Sequence, residues 1–217
     1  ISVTVKAVPD GLVSNHLVRH TKPGTLVHLE QAAGDFVLPP DGGRFTFITA
    51  GSGITPVIGI LRNLFPVTDD GVLRLERSAN FDIVVVHVAP SEPESIFIDN
   101  LRSLDEAGAI RLIARYDDQH GILDVNALGE LVPDLAERTT YACGPGGLLD
   151  ALESFHDTKE VPLQVEKFRA TYVEPGEGGT VTFAKSGVTI DVDGATTLME
   201  AAEEAGVLMP SGCRMGI

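Results

Sequence analysis

The sequence is poor in the residues that mark several large classes of protein. It has two cysteines, Cys143 and Cys213, in 217 residues. That is too few for a disulfide framework, and a reducing, cytoplasmic setting is the simplest fit. The longest apolar runs, such as the IVVV around Val85, fall far short of the roughly 20 residues a membrane-crossing helix needs. Basic residues are scarce, with 16 Lys+Arg against 31 Asp+Glu and a net charge of −15. A nucleic-acid binder neutralises phosphates with a basic surface, and this balance indicates none. An acidic surface suits solubility, or steering toward a basic protein partner. His16, His20, His28, His120 and His156 show no zinc-ligand spacing. No internal repeat or low-complexity tract is visible.

Against these absences stand 43% hydrophobic and 22% charged residues, a balance that supports a packed core in one large or two modest domains. The chain opens on ISVTVKAV without an initiator Met and stops at GCRMGI without a closing element, so it is expected to be part of a longer protein.

Residues 1–40 read as β-structure. ISVTVKAV alternates with period two, TLVHLEQ follows the Pro23-Gly24 turn, and LVSNHLVRH between them suits one short helix. From about 41 to 167 the pattern changes. RFTFITA, FDIVVVHVA, AIRLIARY, TTYACGP and VPLQVEKF read as strands. They alternate with helical VIGILRNLF, SIFIDNLRSLDEAG, VNALGELVP and GGLLDALESFHD. Such alternation predicts βαβ units and a doubly wound parallel-sheet α/β domain. Residues 168–179, rich in Gly, Glu and Pro, read as a linker. Beyond it, TVTFAKSGVTIDVDG predicts a β-hairpin turning at KSG. TTLMEAAEEAGVLMP predicts a Thr-capped amphipathic helix ending near Gly206.

Two glycine-rich turns carry the chemistry. AGSGITP places Gly51, Ser52, Gly53, Ile54, Thr55 and Pro56 between a strand and a helix. There glycines admit a close ligand backbone approach, and the helix start offers unsatisfied N–H groups to a pyrophosphate. Ser52 and Thr55 add hydroxyl donors, and Pro56 suits the first helical turn. The turn does not match the common Gly-x-Gly-x-x-Gly fingerprint, and taken alone it is as readily a tight turn. The second, YACGPGG, sets Cys143, Gly144 and Pro145 at the end of another strand. In a doubly wound sheet both turns share the carboxyl edge and face one cleft. A lone Cys143 reads equally as a buried structural thiol. His87, ending its strand, reads as packed or cofactor-adjacent rather than catalytic.

GSGITP followed about ninety residues later by CGPGG resembles the ferredoxin–NADP reductase superfamily. The resemblance implies that Gly51 to Pro56 hold a nicotinamide dinucleotide pyrophosphate. It also implies that Cys143, Gly144 and Pro145 lie at the hydride-transfer site. Gly11, Leu12, Val13 and Ser14 resemble the family's Gly-x-x-Ser element at a flavin pyrophosphate. The family's Arg-x-Tyr-Ser flavin motif is expected upstream of Ile1. Glu166 and Phe168 fall where the family's chain passes the flavin. SGCRMGI after a hairpin and a helix resembles the plant-type 2Fe–2S ferredoxin, with Cys213 matching the first cluster ligand and the next expected just after Ile217.

The resemblance therefore implies four segments: the end of a FAD-binding β-barrel (1–40), an NAD(P)-binding domain (41–167), a linker (168–179) and the start of a ferredoxin-like domain (180–217). The function it implies is an NAD(P)H-dependent reductase. Electrons pass through FAD and a 2Fe–2S cluster to a partner oxygenase, hydroxylase or acyl desaturase, which can be membrane-bound. A 2′-phosphate reader is expected just past the second strand, at Ala89-Pro90-Ser91; no arginine stands there, and Arg111 or Arg115 on the next strand substitutes, leaning the donor toward NADPH over NADH. The alternatives are a non-catalytic nucleotide-binding regulatory module and a flavohaemoprotein-like reductase domain.

Overall fold

A computed structural model describes residues 3–27, 34–69, 72–76, 78–159, 161–168 and 176–209. The chain divides into two compact units, Ile1–Phe168 and Arg169–Ile217.

The first unit opens with helix α1 (Leu12–His20). Strand β1 (Gly43–Ala50), helix α2 (Ile54–Leu64), β2 (Phe81–Ala89), α3 (Ile98–Glu106) and β3 (Arg111–Tyr116) follow. Two single-turn helices, α4 (Asp117–His120) and α5 (Leu128–Leu131), lead to β4 (Thr139–Cys143), α6 (Gly146–Lys159) and β5 (Leu163–Glu166). The five strands form one sheet in the order β3-β2-β1-β4-β5, with every pairing parallel. Central strands of a parallel sheet are covered on both faces, so they read as continuous apolar runs rather than alternations. FDIVVVHVA accordingly buries every residue but Asp82.

Each face has its own core. On one, Phe45, Phe47, Ile83, Val85 and Tyr141 meet the α2 stripe Ile54, Val57, Ile58 and Leu61 and the α3 pair Leu101 and Leu104. On the other, Ile48, Val84, Val86 and Ala142 meet Leu128 of α5 and Leu149 and Leu152 of α6. The 3–4 residue spacing of these stripes makes each helix one-sided, and each such side chain contributes about 1.5–3 kcal/mol when fully buried. Pro66 disfavours helical geometry at the residue before it, so α2 stops at Leu64 with Phe65 already non-helical. Between Ala89 and α3, Phe97 takes a left-handed conformation (φ 62°), which delays the helix to Ile98 instead of the expected Ser95.

At the amino edge of the sheet a charged cluster ties three strands. Arg138 is buried and donates to the Asp82 carboxylate at 2.8 and 3.0 Å and to the Asp82 carbonyl at 3.1 Å. It also pairs with Asp134 at 2.8 Å. Arg44, more exposed, pairs with Asp82 at 3.2 Å and with Asp134 and Glu137. Burial pushes the Asp82 carboxyl up, but hydrogen bonds from Arg138 and Arg44 outweigh it and hold the group below its ordinary value. Asp134 is lowered chiefly by Arg138.

Two expected strands do not form over the described residues. Residues 3–8 and 25–27 carry no strand pairing, and Val3, Val5, Val8, Leu26 and Val27 are exposed. Period-two alternation becomes a strand only with a partner to complete its ladder, and no such partner is present among the described residues. The rest of TLVHLEQ lies outside them. The expected VNALGELVP helix breaks into a 3-10 turn (Val125–Ala127) and the short α5; Pro133 follows directly and bars its continuation.

In the second unit, β6 (Gly179–Phe183) and β7 (Val188–Val192) pair antiparallel around the expected KSG turn, where Gly187 has φ 68°. Helix α7 (Leu198–Glu204) starts in a full capping box: Thr197 accepts from the Glu200 amide, and Glu200 accepts from the Thr197 amide. It ends at Gly206 with the Val207 amide donating to the Ala202 carbonyl at 2.7 Å. Cys213 lies outside the described residues, as does most of the 168–179 segment.

Candidate functional site

The sheet order reverses between β1 and β4, and it is outside the carboxyl ends at such a point that open α/β sheets hold ligands. Both glycine-rich turns are there, and they touch. Gly51 takes φ 54°, the left-handed conformation that glycine adopts freely, and turns the chain out of β1. Gly53 then presses on the other turn. A Cβ there would stand 2.1 Å from the Cys143 carbonyl oxygen and 2.8 Å from the Gly144 nitrogen. Gly144 in turn packs against Ala50. The two turns are therefore one wall, built from backbone with almost no side chain between.

Helix α2 starts directly behind this wall with Gly53 as its N-cap and Pro56 in its first turn. The chain enters α2 through a 3-10 turn (Gly51–Gly53) whose Gly51 and Ser52 carbonyls accept from the Ile54 amide. The first N–H groups of such a helical run lack intrahelical acceptors and carry partial positive charge, and no acidic residue occupies the first turn of α2. The Thr55 hydroxyl, expected as a ligand donor, donates instead to the Ser52 carbonyl at 3.0 Å and stiffens the loop. Pro145 accepts from the Leu148 and Leu149 amides at 3.0 and 3.2 Å, fixing the start of α6.

Strand register sets a row of side chains just beneath the wall. His87 on β2, Thr49 on β1, Cys143 on β4 and Glu166 on β5 are successive partners, and lateral partners share a face of the sheet. His87 Nδ1 lies 2.8 Å from the Thr49 hydroxyl, while Nε2 is buried without a partner. Burial brings the His87 imidazole down to about 4, so the ring is neutral near pH 7. Burial, with help from the Glu166 carboxylate, pushes the Cys143 thiol up to about 12. A thiol so protonated is a wall, not a nucleophile. His87 is thus packed, as expected, and Thr49 is its partner, a link that the strand register alone could have suggested.

The remaining expected residues are spread out. Gly11 is the N-cap of α1, Leu12 and Val13 are exposed, and the Ser14 hydroxyl folds back to the Gly11 carbonyl (3.4 Å) while accepting from the Val8 amide (3.3 Å). A groove of ≈ 810 Å³ runs along Ala7 to Leu12 and the α1 face Asn15, His16, Arg19 and His20. Phe168 is exposed just past β5. Arg111 begins β3 in register with Val84, away from the carboxyl edge. Arg115 lies near that edge, donating to the His120 carbonyl at 3.4 Å. Arg102 of α3 escaped the sequence reading, yet it pairs with Glu92 just past β2. Mid-helix position and ordinary composition offered no signal for it. Among the described residues, no group of three or more His, Cys, Asp or Glu gathers as a metal site, and no helix is long and apolar enough to cross a membrane.

No family model matches the chain. An NADPH oxidoreductase of Mycobacterium tuberculosis is 44% identical over 223 residues, spanning 100% of this chain and 56% of that protein. The ferredoxin reductase component of the 3-ketosteroid-9-alpha-monooxygenase of the same species is 26% identical over 234 residues, again spanning 100% of this chain and 62% of the relative. This chain thus spans between half and two thirds of the length of these curated relatives. Among solved structures, an intact type IV self-sufficient cytochrome P450 monooxygenase is 28% identical with a TM-score of 0.59, over 84% of this chain and 22% of its own. A Gly-Ser-Gly turn and a Cys-Gly-Pro turn share one wall at the switch point, as the resemblance to the ferredoxin–NADP reductase superfamily implies, and the relatives to which the chain is similar are an NADPH oxidoreductase and a ferredoxin reductase component.

Proposed function

We propose that this chain is the nucleotide-oxidising part of an NAD(P)H-dependent reductase that delivers electrons, through FAD and a 2Fe–2S centre, to a partner oxygenase, hydroxylase or acyl desaturase. The observation that carries the proposal is the contact of Gly53 with the Cys143 carbonyl. It joins an anion-binding helix start to a neutral, close-packed surface, which suits the two chemically different ends of a dinucleotide. The reductase names of the two curated relatives support the same reading.

In this reading the start of α2 holds the pyrophosphate through backbone N–H groups and helix dipole. Gly51 and Gly53 keep side chains out of its way. The Cys143–Gly144 backbone and the protonated Cys143 thiol form the flat wall for the nicotinamide, and the Thr49–His87 pair beneath holds β1 and β2 in register. No residue here needs to accept or give a proton, since hydride transfer requires positioning and exclusion of water rather than a general base. The start of α1, with its bent-back Ser14, suits a flavin pyrophosphate by the same helix-terminus logic. When bound, a flavin supplies two-electron acceptance and one-electron release. Cys213 and the hairpin–helix order of the second unit support the cluster. NADPH is the proposed donor, in keeping with the name of the 44% identical relative.

The test is a visible absorption spectrum of the purified protein, followed by NADPH and NADH separately without oxygen. Flavin bands with a broad iron–sulfur shoulder, bleached faster by NADPH, are the expected result. A colourless protein that ignores both nucleotides after FAD and cluster reconstitution would overturn the proposal.

A further inference from the structure

Along the carboxyl edge the strand ends run β4, β1, β2, β3. Neighbouring strands are about 4.8 Å apart. A dinucleotide with its pyrophosphate on the 51–53 loop and one end at Cys143 therefore carries its adenosine across the ends of β2 and β3, about 5 to 10 Å away. In doubly wound sheets the residue just past the second strand reads the adenosine ribose, a carboxylate serving the 2′-hydroxyl and an arginine the 2′-phosphate.

Here both kinds of residue are present and bonded to each other. Glu92 opens the 3-10 turn (Glu92–Glu94) just past β2, and Arg102 reaches over from α3 to pair with it. Arg102 also lies 3.5 Å from the hydroxyl of Tyr116, the last residue of β3 and the register partner of Ala89 at the end of β2. Asp99 is its only other ion partner among the described residues, at 3.8 Å. The Arg102 side chain is 43% exposed, so a ligand reaches it without unfolding anything.

We propose that the Glu92–Arg102 pair selects the nucleotide: Glu92 occupies on Arg102 the place that a 2′-phosphate takes when NADPH binds. The inference rests on the nucleotide reading above and assigns its specificity to residues outside the glycine-rich turns. Carboxylate and phosphate present the same kind of oxygen pair to a guanidinium fork. An exposed ion pair is weak, so exchanging one anion for the other costs little, and the doubly charged phosphate gains more than the carboxylate did. A nucleotide lacking the 2′-phosphate leaves the pair closed and gains nothing from Arg102. Glu92, once displaced, stands beside the phosphate and repels it, which makes it a brake on NADPH affinity. Arg111 starts its strand at the far end, and Arg115 precedes Tyr116 by one residue, so its side chain projects from the opposite face of the sheet.

The experiment is calorimetric titration of adenosine 2′,5′-bisphosphate and of adenosine 5′-monophosphate, which needs no flavin. The unsubstituted protein is expected to bind the bisphosphate more tightly. Arg102→Gln should weaken the bisphosphate about ten-fold and leave the monophosphate unchanged, while Arg102→Lys should retain part of the preference. Glu92→Gln should tighten the bisphosphate by a few-fold without moving the monophosphate. Arg102→Gln weakening both ligands equally, or neither, overturns the inference and leaves the nucleotide reading intact. Binding of neither ligand by the unsubstituted protein overturns the nucleotide reading itself and this inference with it.

Discussion

At the amino edge of the five-stranded sheet, two arginines are ringed by Asp82, Asp134 and Glu137, and every joining bond starts from a guanidinium. At the carboxyl edge of the same strands the side chains are Thr49, a neutral His87, a protonated Cys143 and Glu166, and the joining is done by backbone against backbone at Gly53 and Cys143. One edge satisfies its charges internally. The other keeps acidic residues out of the first turn of α2, which is the condition for accepting an anion there from outside. The same βα repeat thus yields a structural end and a binding end, and what separates them is that no carboxylate stands in the first turn of α2.

The contrast breaks most sharply at Gly53. Gly53→Ala forces a methyl into the Cys143 carbonyl, where backbone rather than a flexible side chain must move. Nucleotide affinity is expected to fall about 100-fold, read as KM or as a calorimetric Kd, with a stability loss of about 2–3 kcal/mol.

Acid should expose the neutral character of the carboxyl edge. His87 has an ordinary value of 6.5 and is brought to about 4 when folded. Between those values the unfolded chain holds the proton and the folded chain does not, so stability falls as pH falls through that window, by about 3 kcal/mol in all. The lowered carboxyls of Asp82 and Asp134 lose their contribution in the same direction at lower pH. In His87→Gln the stability lost between about pH 7 and about pH 4 in urea titrations should be smaller by about 2–3 kcal/mol.

The amino edge should respond in stability alone. Arg138→Met leaves Asp82, which is half exposed, with Arg44 alone, so the cost is about 2 kcal/mol rather than that of a fully buried pair. Nucleotide affinity should stay unchanged. The smallest effect is expected at Arg44→Gln, a slight fall in Tm that shrinks further at high salt because its partners are exposed. A change of nucleotide affinity in either variant would erase the distinction between the two edges.

Much of this was legible in the sequence because βαβ units announce themselves locally. FDIVVVHVA reads as a doubly covered strand, TTLMEAAEE reads as a capped helix, and GSGITP and CGPGG sit where strands end. That both turns share the carboxyl edge follows from topology, and the register of Thr49 with Cys143 bears it out; that they touch is visible only in the structure. What stayed hidden depends on partners distant along the chain. Arg138 and Asp82 are 56 residues apart, and nothing in the composition around either predicts the bond. Arg102 and Glu92 are ten apart, but they belong to different elements joined by a turn whose left-handed Phe97 no propensity anticipates. The period-two pattern at the start of the chain shows the converse failure: alternation specifies a face and does not supply a neighbour.

The charged cluster has a kinetic consequence. Its bonds link Arg44 to Glu137 across 93 residues and Asp82 to Arg138 across 56, so they close only after β4 has docked beside β1. Contacts of such long sequence separation tend to be made late, after loop-closure entropy has been met by nearer pairings such as β1 with β2. Loosening the cluster should therefore speed unfolding while leaving the folding arm of a chevron plot nearly where it was, so that the lifetime of the native sheet is set at the end opposite to the one that binds.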